Sequence, residues 1–317
     1  MFEVLLVTGG AGFIGSNFVQ HMLLEHENLK IINLDKLTYA ANLDNLAAIA
    51  HDSRYQFVEG DICDADLVDQ LMAKVDGVVH FAAESHVDRS IADPGVFAHT
   101  NVVGTQVLLE AARRHKIVRY LQVSTDEVYG SLGSTGYFTE QTPLAPNSPY
   151  SASKASADLF VRAYHETFGM PVLITRCSNN YGPYQHDEKL IPTLIRKALQ
   201  NEPLPIYGDG KNVRDWLHVE DHCRAIDLVL HEGRIGEVYN VGGHNEWANI
   251  DIARLVLNEL GRPESLIAYV EDRLGHDRRY AIDPAKIQGE LRWEPKWKFE
   301  TGIKQVIAHY VKRYADL

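Results

Sequence analysis

Short β-branched runs alternate with stretches of helical periodicity through the first 176 residues. Segments 3–8, 30–35, 55–60, 77–82, 118–124 and 171–176 read as strands, most of them almost wholly apolar. Between them, segments 14–25, 67–74, 94–115 and 150–168 repeat apolar positions at helical spacing. Strand, helix, strand repeated in this way predicts an α/β fold, a doubly wound parallel sheet covered by helices on both faces. After Arg176 the rhythm changes. Segment 177–189 is polar and rich in Asn, Tyr, Gly and Pro. The remainder of the chain reads as short helices and loops, with strand-like pieces at 204–207, 237–241 and 266–270. No Gly/Ser or Pro-rich linker marks the change. The expected division is a sheet domain over 1–178, completed by segments from within 204–245, and a smaller C-terminal domain over 179–317.

Composition removes several readings. Of the 317 residues, 45% are hydrophobic and 23% charged, which is ordinary for a globular chain and wrong for disorder or a coiled coil. With 43 acidic and 31 basic residues the net charge is -12. That disfavours a nucleic-acid polymer as partner, while a local basic cluster still suits one small phosphorylated ligand. The three cysteines, Cys63, Cys177 and Cys223, fit neither a metal knuckle nor a redox pair and imply reduced thiols in a cytoplasmic protein. Met1 is not followed by a basic stretch and an apolar run, so no secretory leader is expected. No apolar run approaches the roughly 18–20 residues of a membrane span. The fifteen histidines include no H-E-x-x-H and no Cys/His cluster, so no metal is expected. His80, His86 and His99 read as packing or hydrogen-bonding residues. G-x-S-x-G is absent, against a hydrolase. The aromatic segment 293–299 is expected to pack on the last helix.

The first strand ends in T-G-G-A-G-F-I-G. Gly9, Gly12 and Gly15 thus fall between a strand and a helix. The first glycine permits a tight turn, the second a close backbone approach by a pyrophosphate, and the third helix–sheet packing. The free N–H groups of the helix then face the phosphates. Asp35 ends the second strand, where a carboxylate bonds a ribose 2′-hydroxyl and repels a 2′-phosphate. This predicts a Rossmann sheet binding NAD, although the neighbouring Lys36 pulls the other way. Asp61, just past the third strand, is either a residue at the adenine edge or the N-cap of segment 64–74.

Tyr150 and Lys154, in Y-S-A-S-K, sit i, i+4 on one helix face. An ammonium beside a phenol lowers the phenol pKa, and such a tyrosine takes a proton from a hydroxyl as hydride leaves the same carbon. Alone, this pair is commonly a surface pair; its place after the fifth strand argues for chemistry. That strand ends in V-S-T-D-E-V-Y-G, so Thr125, Asp126 and Glu127 project from its carboxyl end. Two adjacent carboxyls in a desolvated site can leave one as acid and one as base, as loss of water across a C–C bond requires; without the glycine turn and the Tyr150/Lys154 pair they would read as a turn with solvated carboxylates.

These blocks, with A-A-E-S-H-V-D-R-S, R-C-S-N-N-Y-G-P-Y-Q, E-K-L-I-P, V-R-D-W-L-H-V-E-D-H and D-R-L-G-H-D-R-R-Y, run in order from residue 8 to residue 280. The chain resembles the dTDP-glucose 4,6-dehydratase family, a branch of the extended short-chain dehydrogenases/reductases. The resemblance implies a lyase that holds NAD tightly and feeds deoxysugar pathways such as rhamnose. Cofactor contacts are implied at Gly9, Gly12, Phe13, Ile14 and Gly15 and at Asp35, Lys36, Leu37, Thr38, Asp61 and Ile62. Phe81, Ala82, Ala83, Ser85, Thr100 and Asn180 join them, beside Tyr150 and Lys154. Tyr150, supported by Lys154 and Thr125, would deprotonate the glucose O4 as hydride leaves C4. Glu127 would then take the C5 proton, Asp126 would protonate the departing hydroxyl, and hydride would return at C6. The implied nucleotide-sugar contacts are Ser85, Thr125, Asn179, Lys189, Leu190, Pro205, Ile206, Tyr207, Arg214, Asn249, Arg273 and His276. Lys189, Arg214 and Arg273 are the cations that suit a pyrophosphate. Leu274 stands where many members of the family carry proline, and the chain is somewhat short for the family, implying trimmed loops. A homodimer through segments 94–115 and 150–168 is implied as well.

The alternatives are a nucleotide-sugar 4-epimerase, a decarboxylase, a dehydratase for a UDP- or CDP-sugar, and a non-catalytic NAD-dependent binding protein. Asp126 beside Glu127 speaks against the first two, and the intact Tyr150/Lys154 pair against the last.

Overall fold

The computed structural model describes residues 2–315. Its main sheet has seven strands, all paired in parallel. They are β1 (Val4–Thr8), β2 (Lys30–Asp35), β3 (Tyr55–Glu59), β4 (Gly77–His80), β5 (Arg119–Thr125), β6 (Val172–Cys177) and, after β7 (Asn179–Tyr181), β8 (Leu204–Tyr207) and β9 (Val213–His218), β10 (Val238–Val241). The order across the sheet is β10-β6-β5-β4-β1-β2-β3. It reverses between β1 and β4, and a crevice opens there outside the strand carboxyl ends.

Strand alternation sorts the apolar residues onto two faces. Leu5, Val7, Ile31, Val79, Leu121 and Leu173 pack with helices Phe13–Glu25 and Val219–Glu232. Leu6, Ile32, Val78, Tyr120, Val172 and Ile174 face the other way, against helices Ala65–Met72, Gly104–Arg114 and Pro149–Phe168. Both faces are covered, as the continuous apolar strands demand.

A third core lies outside the sheet. Helices Leu190–Leu199, Asn249–Glu259 and Phe299–Ala315 bury Ile191, Leu194, Val256, Ile303 and Val306 around Trp216 and Phe299. Two small sheets flank it. One has the order β11-β9-β7, with β11 at Glu246–Ala248, and the other pairs β8 with β12 (Ile267–Val270). Among the described residues, no helix is long and apolar enough to cross a membrane.

Four local expectations need correction. Segment 94–115 is not one helix: a turn at Pro94–Phe97 leads into a π-helical stretch at Ala98–Val103 before helix Gly104–Arg114. That wider turn brings Thr100 to the crevice wall and packs Gly104 against Ile62. The polar stretch after Cys177 contains β7, whose strand character comes from pairing with β9 rather than from its own residues. The later region also holds long helices, Val219–Glu232 and Phe299–Ala315. Trp293 packs in the sheet core and donates from Nε1 to the Asp221 carbonyl at 3.2 Å, so it does not lie against the last helix.

Candidate active site

The crevice at the β1/β4 switch point begins at the glycine turn. Gly9 has φ 74°, and a side chain there would enter the Phe81–Ala82 backbone. A side chain at Gly15 would strike the Gly9 carbonyl. The turn is therefore closed to anything larger than glycine at both ends, and it leads into helix Phe13–Glu25. Two carboxyl-end side chains of β2 hold it in place. Asn33 Oδ1 accepts from Gly10 N at 3.0 Å, and Asp35 Oδ2 from Ala11 N at 2.9 Å. Asp35 Oδ1 also takes the Leu37 N–H at 2.9 Å, fixing the turn in which Leu37 has φ 56°. Burial raises the Asp35 pKa against these two hydrogen bonds.

Lys36 and Asp61 neutralise each other at 2.7 Å. Lys36 is thus turned toward Asp61. Asp61 is not the helix cap: Asp64 accepts from Leu67 N at 3.1 Å and caps Ala65–Met72. Gly9, Gly12, Phe13, Ile14, Gly15, Asp35, Lys36, Thr38, Asp61 and Ile62 all line the crevice. So do Phe81, Ala82, Ala83, Ser85, Thr100, Asn180, Tyr150 and Lys154. Leu37 does not; its side chain packs against the sheet core. The empty space, mouth included, is about 1640 Å³. The glycine cradle, the Asp35 carboxylate and the anion-ready helix start fit NAD.

Thr125, Asp126, Glu127, Asn179 and Lys189 line the same crevice. Thr125 closes β5 and caps the short turn Asp126–Tyr129, accepting from Glu127 N at 3.2 Å. The two carboxyls have different surroundings. Asp126 is 1% exposed, and its Oδ2 has no hydrogen-bond partner. Burial first, then Glu127 and Asp215, push its pKa well above the usual carboxylate range. Glu127 is half-buried and also raised by burial, but Arg273, Arg214 and Lys189 oppose that shift. Asp126 is thus the acid of the pair and Glu127 the more readily ionised member.

Tyr150 and Lys154 sit in the first turns of helix Pro149–Phe168, which starts with a Ser148–Ser151 capping box. Lys154 Nζ donates to the Val123 carbonyl at 2.8 Å. The phenol departs from the expected direction. Burial, Glu127, Cys177 and Asp126 raise its pKa, with a Thr125 hydrogen bond opposing. Desolvation outweighs what helical spacing to one lysine suggests, and it lowers the Lys154 pKa as well.

The remaining implied contacts come from the third core and its loops. Lys189 Nζ donates to the Ser85 carbonyl at 3.0 Å. Arg214 donates to the Asp277 carbonyl at 2.9 Å and lies over Tyr280. Asp277 is held by Tyr280 OH and by Asn147 Nδ2. His276 Nδ1 is paired with Asp272 at 2.6 Å, beside the Tyr207 ring. Pro205 and Tyr207 face outward on β8, whereas Ile206 is buried in the third core and offers a ligand only its backbone. Leu190 and Asn249 begin their helices, and Asn249 Oδ1 is buried without a partner. Leu190, Pro205, Tyr207, Arg214, Asn249, Arg273 and His276 lie beyond the crevice wall itself. The wall also includes Tyr39, Glu84 and His186, which sequence reasoning passed over, and His86 and Cys177, which it read as a packing or hydrogen-bonding residue and a reduced thiol. His80 is a core residue, with Thr8 Oγ1 and Thr105 Oγ1 on its two ring nitrogens and a pKa lowered by burial to about 3.

A family model described as GDP-mannose 4,6 dehydratase matches residues 6–306. The dTDP-glucose 4,6-dehydratase of Xanthomonas campestris pv. campestris (strain B100) is 56% identical over 96% of this chain and 92% of its own. The chain belongs to the dTDP-glucose 4,6-dehydratase family. A solved structure of the Streptomyces venezuelae dTDP-glucose 4,6-dehydratase, with NAD and a second ligand bound, superposes with TM-score 0.96 at 52% identity, covering 98% of each chain. The UDP-glucuronic acid 4-epimerase of Bacillus cereus has nearly the same fold, TM-score 0.93 over 98% of this chain and all of its own, at only 29% identity. Fold therefore does not separate dehydratases from epimerases; the residues at the end of β5 have to.

Proposed function

We propose that this chain dehydrates dTDP-glucose to dTDP-4-keto-6-deoxy-glucose, with NAD held throughout the cycle. The observation that carries this reading is the pair Asp126 and Glu127, held in unlike electrostatic surroundings at the crevice that also contains Tyr150 and Lys154. Bound NAD would supply the acceptor for the C4 hydride and its donor to C6. The glycine turn and Asp35 would hold it, with Asp61 and Lys36 at the far end of the crevice.

Tyr150 would take the O4 proton. Its phenolate needs the Lys154 ammonium and the Thr125 hydroxyl to offset burial and the nearby acids. With a ketone at C4, the C5 proton is acidic, and Glu127 would remove it. Asp126, protonated and with one oxygen free, would hand its proton to the leaving C6 hydroxyl. Arg214, Arg273 and Lys189 would neutralise the diphosphate while keeping Glu127 ionisable. An epimerase or decarboxylase has no use for this acid–base pair.

The same reading extends to assembly and place. Val96, Val103, Leu159, Phe160 and Phe168 are exposed on the helical segments 94–114 and 149–168. This supports a homodimer through a four-helix interface. Three free cysteines support a cytoplasmic setting. A ketosugar product suits deoxysugar routes such as rhamnose. A division at residue 178, with β10 returning to the sheet edge, accounts for the separate cores.

Mass spectrometry after incubation with dTDP-, UDP- and CDP-glucose tests the reaction. Loss of one water from the dTDP-sugar is expected; an unchanged mass would leave the epimerase or binder. Deuterium placed at C4 should reappear at C6 of the product.

A further inference from the structure

The face of the sheet opposite the Tyr150 helix carries a cluster that the reaction does not use. Asp227 and His231 lie i, i+4 on helix Val219–Glu232, His21 lies on helix Phe13–Glu25, and His26 caps the end of the latter. His26 Nε2 is 3.0 Å from both Asp227 oxygens, His231 Nδ1 is 2.8 Å from Oδ1, and His21 Nε2 is 3.0 Å from Oδ2. The His26 and His231 rings stack at 4.8 Å. We propose that His26, His231 and Asp227, with His21 beside them, bind a divalent cation of the zinc type.

The donor set carries the chemistry. Imidazole and carboxylate together suit zinc, nickel or copper, not the all-oxygen cations. The ligand atoms of His26, Asp227 and His231 lie within 4.8 Å of one another. A tetrahedral zinc with ligands at about 2.0–2.2 Å spaces them roughly 3.3–3.5 Å apart, so seating an ion draws the widest pair together by up to about 1.4 Å. The four side chains are 15–29% exposed, so an ion reaches them from water. The groove around them is lined by Glu25, Glu220 and Glu232 against Arg224, Arg292 and Lys296, so Asp227 supplies the deciding charge. Helix Phe13–Glu25 begins at the glycine turn. At 1.5 Å per residue, His26 therefore lies about 20 Å along it from the dinucleotide crevice. A cation here staples two helices that are more than 200 residues apart in sequence, and it does not enter catalysis.

The test strips the full chain of metal and titrates it with zinc chloride by calorimetry, using cobalt(II) as a visible probe. One ion per chain, a tetrahedral cobalt absorption band, a raised melting temperature and unchanged turnover are expected. His26→Gln and His231→Gln should each weaken binding by about tenfold or more, and His21→Gln less. Circular dichroism checks that each variant folds, and the wild-type cobalt spectrum stands without them. If wild type takes up no stoichiometric zinc and shows no cobalt band, or if folded His26→Gln and His231→Gln variants keep wild-type affinity, the four residues are a hydrogen-bonded cluster only.

Discussion

The sheet end and the third core would contribute to the proposed site in different ways. At the sheet end, each functional group is held by the backbone element that carries it. The Gly9–Gly15 turn follows β1, Asp35 closes β2, Thr125 closes β5, and Tyr150 and Lys154 open a helix. In the third core and its loops, Lys189 precedes helix Leu190–Leu199, Arg214 lies on β9, and Arg273 and His276 share one loop. Side-chain bonds aim three of them: Lys189 to Ser85, Arg214 to Asp277, His276 to Asp272. The sheet end therefore has the rigidity that proton and hydride transfer need, whereas the later region offers long side chains to the charged ligand proposed above.

If that contrast is right, disturbing the sheet end should damage turnover most. Glu127→Gln keeps the shape and removes the base. Turnover should fall by roughly 10²–10⁴-fold, while C4 oxidation survives and reduced cofactor accumulates as near-ultraviolet absorbance. Tyr150→Phe should be equally slow without that absorbance, because its loss blocks the first step. Normal turnover in Glu127→Gln would remove the division of labour.

Disturbing the later region should weaken binding more than chemistry. Arg273→Gln deletes one of the cations proposed to face the diphosphate. A charge-assisted hydrogen bond contributes about 1.5–3 kcal/mol, so KM should rise about 10–150-fold, with kcat changed much less. Equal losses in both constants would erase the distinction.

The pH profile couples the two regions. Both carboxyl pKa values are raised, Asp126 the more strongly. Activity should fall as pH drops through the Glu127 value, because the base is protonated. It should fall again as pH rises through the Asp126 value, because the acid is lost. Arg273→Gln removes the largest influence holding Glu127 down, so the acid limb alone should move to higher pH. An unmoved acid limb would show that Arg273 does not act on Glu127.

The smallest effect belongs to Leu274, whose side chain is 77% exposed in the Arg273–His276 loop. Leu274→Pro should shift stability by less than about 1 kcal/mol and leave cofactor retention unchanged. A large change in KM would show that loop stiffness, not side-chain charge, controls the grip.

The glycine turn, Asp35, the Tyr150/Lys154 spacing and the parallel sheet are legible in the sequence because each depends on neighbours within a few residues. Strand alternation and i, i+4 spacing are local periodicities, and the turn has a local steric requirement at Gly9 and Gly15. Other features depend on residues that meet from far apart along the chain. β7 is a strand because β9 lies beside it, and segment 94–115 changes its helical pitch to pack Gly104 on Ile62. Lys36 is paired with Asp61, Tyr150 is raised by burial among acids, and Ile206 turns into a core that did not announce itself in its own strand. Periodicity records which face of an element is apolar. The charge state of a side chain depends on how much water and which distant charges surround it, and those are set only when separate elements close on one another.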